Sequence, residues 1–216
     1  MCFNNSYIRL LSLLSIVIGV TFATLAQRRE PKFTSLTSMD GLSSNTVTAI
    51  LKDRYGLMWF ATEDGLNRFD GTDVLVYRHN KKDSTSLRAS EISSLHQDAH
   101  GSIWVGTIEG GLHLYNRNKD SFESIASPHS VTSLTSDAKG RLWAGTSGGL
   151  ISVNPRTRQI TTFSSSAHIP DQISKGLILS VAIDRKQRVW IGSDKGLFRI
   201  DTFWWLALRS SVRRWR

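Results

Sequence analysis

Beyond residue 27 the apolar positions fall in short runs cut by Asp, Gly and Asn, and none keeps the three-and-four spacing of a helix. One run recurs. Leu51-Lys52-Asp53-Arg54-Tyr55-Gly56 leads into the apolar strand Leu57-Met58-Trp59-Phe60-Ala61-Thr62. The same order of residue types returns at Leu95–Thr107 around Trp104, at Leu134–Thr146 around Trp143 and at Val181–Ser193 around Trp190. Each copy is followed by a Gly-Leu pair: Gly65-Leu66, Gly111-Leu112, Gly149-Leu150 and Gly196-Leu197. A period of about 39 to 47 residues belongs to β-propeller blades, each a four-stranded antiparallel sheet.

The residue types have mechanical reasons. The Asp six positions before each Trp starts a tight turn, because its carboxylate accepts backbone N–H groups two residues on. Gly56, Gly101 and Gly140 stand where that turn needs positive φ; the fourth copy has Gln187 there, which predicts a longer or more strained turn. The indole fills the space between neighbouring blades. Two residues on, Ala61, Gly106, Gly145 and Gly192 are small because a neighbouring backbone crowds the strand. The Gly-Leu leucine points into the same interface.

The expected fold is therefore all-β, with blades at about residues 47–78, 92–126, 131–163 and 178–201, closed as four or forming an open arc of a larger propeller. Residues 33–37 resemble an outer strand and are expected to complete the last blade. Residues 202–216 break the repeat: Trp204, Trp205 and Trp215 stand among Arg209, Arg213, Arg214 and Arg216, without turn chemistry. The expectation for this tail is a truncated or frame-shifted end, with an interfacial amphipathic segment as the alternative.

Residues 1–26 read as a signal peptide. Arg9 is the one charge before the apolar run Leu10–Val20, and Thr24 and Ala26 supply small residues for cleavage before Gln27. The apolar character from Ile8 to Ala26 also nears the lower limit for a membrane span, so an uncleaved anchor is the alternative. Cys2, the one cysteine, lies in the leader, so neither disulfides nor Cys-ligated zinc are expected. The net charge is +9, but the four tail arginines and Arg9 account for five of it. The remaining excess of about +4 is too small for a nucleic-acid surface, and none is expected.

Candidate chemistry is sparse. His79, His96, His100, His113, His129 and His168 show no zinc-type spacing and read as surface or edge residues. Glu63, Asp64 and Glu109 follow the second strands, where they could hold a cation or polar ligand but fit solvated turns better. Gly110-Gly111 and Gly148-Gly149 are hairpin turns and not phosphate cradles. No catalytic, cofactor-binding or metal residue is assigned, no cofactor is expected, and the ligand-binding residues are left unknown.

The segment Met39-Asp40-Gly41-Leu42-Ser43-Ser44-Asn45-Thr46-Val47, with Trp59-Phe60-Ala61-Thr62 and Gly65-Leu66-Asn67-Arg68-Phe69-Asp70-Gly71, resembles the opening of two-component regulator propeller proteins. The resemblance extends over about residues 33–201. It implies a fragment of the periplasmic sensor region of a hybrid histidine kinase, one that responds to a glycan or other small molecule. The kinase and receiver domains of such proteins have no counterpart in the chain, so no enzymatic activity is expected. The implied partners are that ligand and a second copy or other propeller modules, with membrane contact only through the leader or a downstream region. Two other functions remain open: a small secreted lyase-like propeller enzyme, which would need a His/Glu metal cluster at one mouth of the channel, and a non-catalytic protein-interaction scaffold.

Overall fold

The computed structural model describes residues 31–125, 129–163, 170–201 and 212–214. Leu36–Arg216 form one unit, to which the following refers; of the separate unit Met1–Ser35, residues 31–35 are described and form no helix or strand. Sixteen described strands make four antiparallel meanders. The first sheet holds β1 (Val47–Lys52), β2 (Met58–Thr62), β3 (Gly65–Phe69) and β4 (Val74–Tyr77). The second holds β5 (Ile92–Gln97), β6 (Ile103–Thr107), β7 (Gly111–Asn116) and β8 (Ser121–Ile125), and the third β9 (Val131–Ser136), β10 (Leu142–Thr146), β11 (Gly149–Val153) and β12 (Ile160–Thr162). In the fourth are β13 (Ile178–Ile183), β14 (Arg188–Ser193), β15 (Gly196–Asp201) and β16 (Val212–Arg214). The first three blades begin and end within about one residue of the boundaries read from the repeat, and the fourth begins at the residue expected.

The core lies between the sheets. Trp59 packs with Ile92 and Tyr115 of the second blade and with Leu87 of the segment leading into it, Trp104 with Leu142, Ala144 and Val153 of the third, and Trp143 with Ile178, Val189 and Phe198 of the fourth. The small residues two positions on have the reason expected of them. A Cβ on Gly106 would lie 2.6 Å from Val131 Cγ1, and one on Gly145 would lie 2.7 Å from Ile178 Cγ2, both in the next blade's first strand.

Each first strand carries a bulge at its second residue, Thr48, Ser93, Thr132 or Leu179. A bulge re-aims a side chain out of the pleat. Here the three hydroxyls reach the next blade: Thr48 Oγ1 donates to the Ile92 carbonyl at 2.6 Å, Ser93 Oγ to that of Val131, and Thr132 Oγ1 to that of Ile178 at 2.5 Å. Leu179 makes no such bond and is exposed.

The four sheets form an open arc. The first strands pack in succession, β1 on β5, β5 on β9 and β9 on β13, and among the described residues no comparable packing joins β13 to β1. Both ends show it. Leu66, Leu112 and Leu150 are buried, whereas their counterpart Leu197 is 42% exposed. Trp190 is only partly buried where the other three indoles are enclosed. On the first blade Val47 and Ile50 face solvent, although their counterparts Ile178 and Val181 are buried.

Three expectations need correction, and a fourth is decided between its two alternatives. Residues 33–37 form no strand and do not complete the last blade. Phe33 is exposed, and the backbone N–H and hydroxyl of Thr37 both bond the Asp40 carboxylate at 2.8 Å, which commits Thr37 to capping the short 3-10 turn Ser38–Asp40. The outer strand of the fourth sheet is instead β16, which pairs Val212, Arg213 and Arg214 with Ile200, Arg199 and Phe198; part of the tail thus belongs to the repeat. A helix, α1 (Asp171–Ser174), stands before β13 and buries Ile173 against the third interface. At four residues it is too short to show a period. The turn at Gln187 is no longer than the others: Gln187 N–H bonds the Asp184 carbonyl at 2.8 Å, as Gly56 N–H bonds that of Asp53 at 3.0 Å. The strain lies in Gln187 itself, a side-chain-bearing residue at φ 60°. The leader 1–26, His168, and residues 202–211, 215 and 216 lie outside the described residues.

A polar residue after the Gly-Leu pair ties each of the first two blades to the segment leading into its first strand. Asn67 Oδ1 accepts the Ser43 N–H at 2.8 Å, and His113 Nε2 accepts the Arg88 N–H at 3.1 Å. That bond requires an unprotonated Nε2. Burial, reinforced by the Arg88 charge, pulls the His113 imidazole down to about 4. The unfolded chain, with a His of about 6.5, then takes up a proton that the folded chain refuses. Stability should be complete above about pH 6.5 and fall as the pH drops from there to 4. His96, also lowered by burial, adds in the same direction. Thermal melts between pH 7 and 4.5 should therefore show a slope that His113→Gln reduces by about one proton. An unchanged slope would place its source elsewhere.

Candidate functional site

The turn between the first two strands of each blade is held by one carboxylate. Asp53 Oδ1 accepts the N–H of Tyr55 at 2.9 Å and of Leu57 at 3.0 Å, while Oδ2 accepts the Trp59 indole N–H at 3.1 Å. Asp98, Asp137 and Asp184 repeat this with Trp104, Trp143 and Trp190 at 2.9, 3.1 and 2.9 Å. Each hairpin tip is thereby pinned to an indole of its own blade. The loops at this end of the sheets are pre-organised, and side chains on them keep their places.

Between these tips lies a cleft of about 310 Å³. The β1–β2 turn contributes Arg54 and Tyr55, the β5–β6 turn His100 and Ser102, the end of β7 Asn116, the β7–β8 turn Arg117, and the β11–β12 turn Arg158. Its walls include Tyr115 and Glu123. Arg117 binds the Asp53 carboxylate, whose side chain is fully enclosed, and lies 4.3 Å from the centre of the Tyr55 ring. Burial pushes the Asp53 carboxyl up, but the bonds from Trp59, Arg117, Tyr55 and Leu57 outweigh it and leave the group below its usual range. Arg158 stands 5.7 Å from the Trp104 ring and pairs with Glu123 at 3.5 Å. Arg54 donates to the Tyr55 hydroxyl at 3.1 Å and has no carboxylate partner among the described residues. Its guanidinium lies over Gly101, where a Cβ would fall 2.2 Å from Cζ, so Gly101 (φ 85°) supplies both the turn and the room.

Behind the cleft a second network joins the first two blades. Tyr77 and Tyr115 donate to Asp120 Oδ1 at 2.5 and 2.6 Å, and Arg68 donates to the same oxygen at 3.1 Å. Burial, with the bond to Asp120, drives the Tyr77 phenol up. These hydroxyls are fixed donors that set the position of Tyr115 in the cleft wall.

The acids considered from the sequence do not gather into a site. Glu63, Asp64 and Glu109 are exposed in the turns at the opposite end of the sheets; Asp64 pairs with Arg78 at 3.0 Å, and the Glu109 N–H bonds Ser130 Oγ at 3.0 Å. Among the described residues no three His, Cys, Asp or Glu side chains come close enough to hold a metal ion. The histidines are scattered. His79 Nδ1 bonds the Leu87 carbonyl at 2.7 Å, His96 Nε2 meets Ser136 Oγ at 2.9 Å, and His129 packs beside Gly148. The surface reading fails for His113, which is enclosed, because the β7 face that carries it is covered by the segment around Arg88. Among the described histidines, His100 is the one brought to the cleft. Sequence reasoning assigned none of Arg54, Tyr55, Arg117 or Arg158 to a site, and they stand on three different hairpins.

The family model for the two component regulator propeller matches residues 41–64, 86–109 and 126–148, one match for each of the first three blades. These are two-component regulator propeller repeats. Over 62 residues the chain is 47% identical to Histidine kinase P4 of Formosa agariphila, a match covering 29% of this chain and 4% of that protein. In fold, the chain is similar to the extracellular domain of the hybrid two-component system BT3049 from B. thetaiotaomicron, with a TM-score of 0.71 and 27% identity over 85% of this chain and 26% of that one. The chain thus spans a small share of either relative. A virginiamycin B lyase from Staphylococcus aureus also matches (TM-score 0.63, 13% identity, 88% of this chain and 61% of that one), a likeness of fold alone. No helix among the described residues is long and apolar enough to cross a membrane.

Proposed function

We propose that the chain is an exported, ligand-sensing propeller segment of a two-component signalling protein, periplasmic in location, and that it transfers no phosphate itself. The observation that carries the reading is the match in fold to an extracellular domain of a hybrid two-component system. The 62-residue likeness to a histidine kinase supports it from the sequence side. The signal-peptide pattern of residues 1–26 agrees with export. A rigid arc whose hairpin tips are pinned by Asp–Trp bonds suits recognition of a small molecule, because little ordering remains to be done on binding.

Three measurements test it. Expressed with its leader in a Gram-negative host, the chain should appear in the periplasmic fraction with Gln27 as its first residue; retention in the cytoplasm with the leader intact refutes export. Incubated with radiolabelled ATP, it should acquire no label, and a phosphorylated band refutes the sensing-only role. A thermal-shift screen against mono- and oligosaccharides should raise the melting temperature for at least one of them, and a flat screen at millimolar ligand refutes sensing.

A further inference from the structure

We propose that the cleft between the hairpin tips binds a small ring compound bearing a carboxylate or sulfate, such as an acidic mono- or disaccharide. The inference rests on the sensing reading above and adds to it a place and a ligand chemistry. Four cationic or ionisable nitrogen-bearing side chains, Arg54, Arg117, Arg158 and His100, line one space of about 310 Å³, against the single lining acid Glu123. That volume suits one or two sugar rings.

The cations differ in what they have left to offer. Arg117 is occupied by Asp53 and stacked on Tyr55, so it acts as a support that fixes the ring of Tyr55. Arg158 is held over Trp104 and shares its charge with Glu123 at 3.5 Å, longer than a good hydrogen bond. Among the described residues Arg54 meets no carboxylate. Its planar fork, laid over Gly101 and tethered by the Tyr55 hydroxyl, is oriented before any ligand arrives. A guanidinium presents parallel N–H donors that match the oxygens of a carboxylate or sulfate. Tyr55, 59% exposed, provides apolar surface for a ring beside that anion on the part of its own ring that Arg117, at 4.3 Å, and Arg54, at 5.1 Å from its centre, leave uncovered. A neutral sugar would use the ring surface but leave the fork unanswered.

The test is calorimetry on the whole chain with glucuronate, glucose 6-sulfate and glucose, the wild type being compared with Arg54→Gln and Tyr55→Leu. Both positions are exposed at a hairpin tip, and circular dichroism with a thermal melt verifies that each variant is folded. Binding of glucuronate or of glucose 6-sulfate, with glucose at least about tenfold weaker, is expected, and Arg54→Gln should remove about tenfold from the acidic ligand alone. The stronger of the two acids identifies the group as carboxylate or sulfate. Tyr55→Leu should weaken acidic and neutral ligands alike. Acidic binding undiminished in Arg54→Gln overturns the cleft while leaving sensing intact. Equal affinity for glucose overturns the ligand chemistry. No binding of either acid overturns the proposal, and the wider saccharide screen then decides whether sensing falls with it.

Discussion

Trp104→Ala is expected to lower the free energy of unfolding by roughly 3–5 kcal/mol. The indole is enclosed between the second and third blades, against Leu142, Ala144 and Val153. Two sheets held by bulge hydroxyls and side-chain packing cannot close over the space it would leave, so the loss of transfer free energy is joined by a cavity. Trp190→Ala supplies the internal control. It removes the same group from the same strand position, but from a face that no further blade covers among the described residues, where the indole is only partly buried. Its cost should be less than half as large. Urea unfolding of both variants makes the comparison; equal costs would mean that the interblade position contributes nothing beyond the indole's own strand.

The blades were legible because their determinants are local. An Asp, a glycine and a tryptophan at fixed spacing specify a turn and the strand after it, and all four copies fold that way. Gln187 shows how strong the frame is, since the turn forms although its residue type resists φ 60°. What stayed hidden depends on neighbours. Val212-Arg213-Arg214 has no alternation to mark a strand and is defined only by pairing with β15. Thr48, Ser93 and Thr132 look like ordinary strand residues until the bulge turns them onto the next blade. His113 is unremarkable in sequence and becomes a buried acceptor only because Arg88 arrives opposite it. The cleft is the extreme case: Arg54, Arg117 and Arg158 belong to three blades, and only the curvature of the arc brings their hairpin tips around one space.

Asp98→Ala should cost about 3 kcal/mol, approaching the loss of the tryptophan itself. The carboxylate, nearly enclosed, is the shared acceptor for the His100 N–H at 2.9 Å, the Ser102 N–H at 2.9 Å and the Trp104 indole N–H at 2.9 Å. The backbone groups at the hairpin tip can turn to water when it is removed. The indole N–H is buried and cannot, so its desolvation is left uncompensated. Asp98→Asn separates the two contributions: its amide oxygen can still take both backbone groups, but its NH₂ then faces the indole donor to donor. The expected cost is intermediate, about 1–2 kcal/mol. Trp104→Phe keeps most of the ring volume and removes the N–H, so it leaves the carboxylate one bond short. If the Asp–Trp bond is what pins the tip, the two losses overlap. The double variant Asp98→Asn/Trp104→Phe should then be more stable than the sum of its single changes by about 1 kcal/mol. Strict additivity in chemical denaturation would show the tip to be held by its backbone bonds alone, and the pre-organisation of the cleft above it would lose its structural basis.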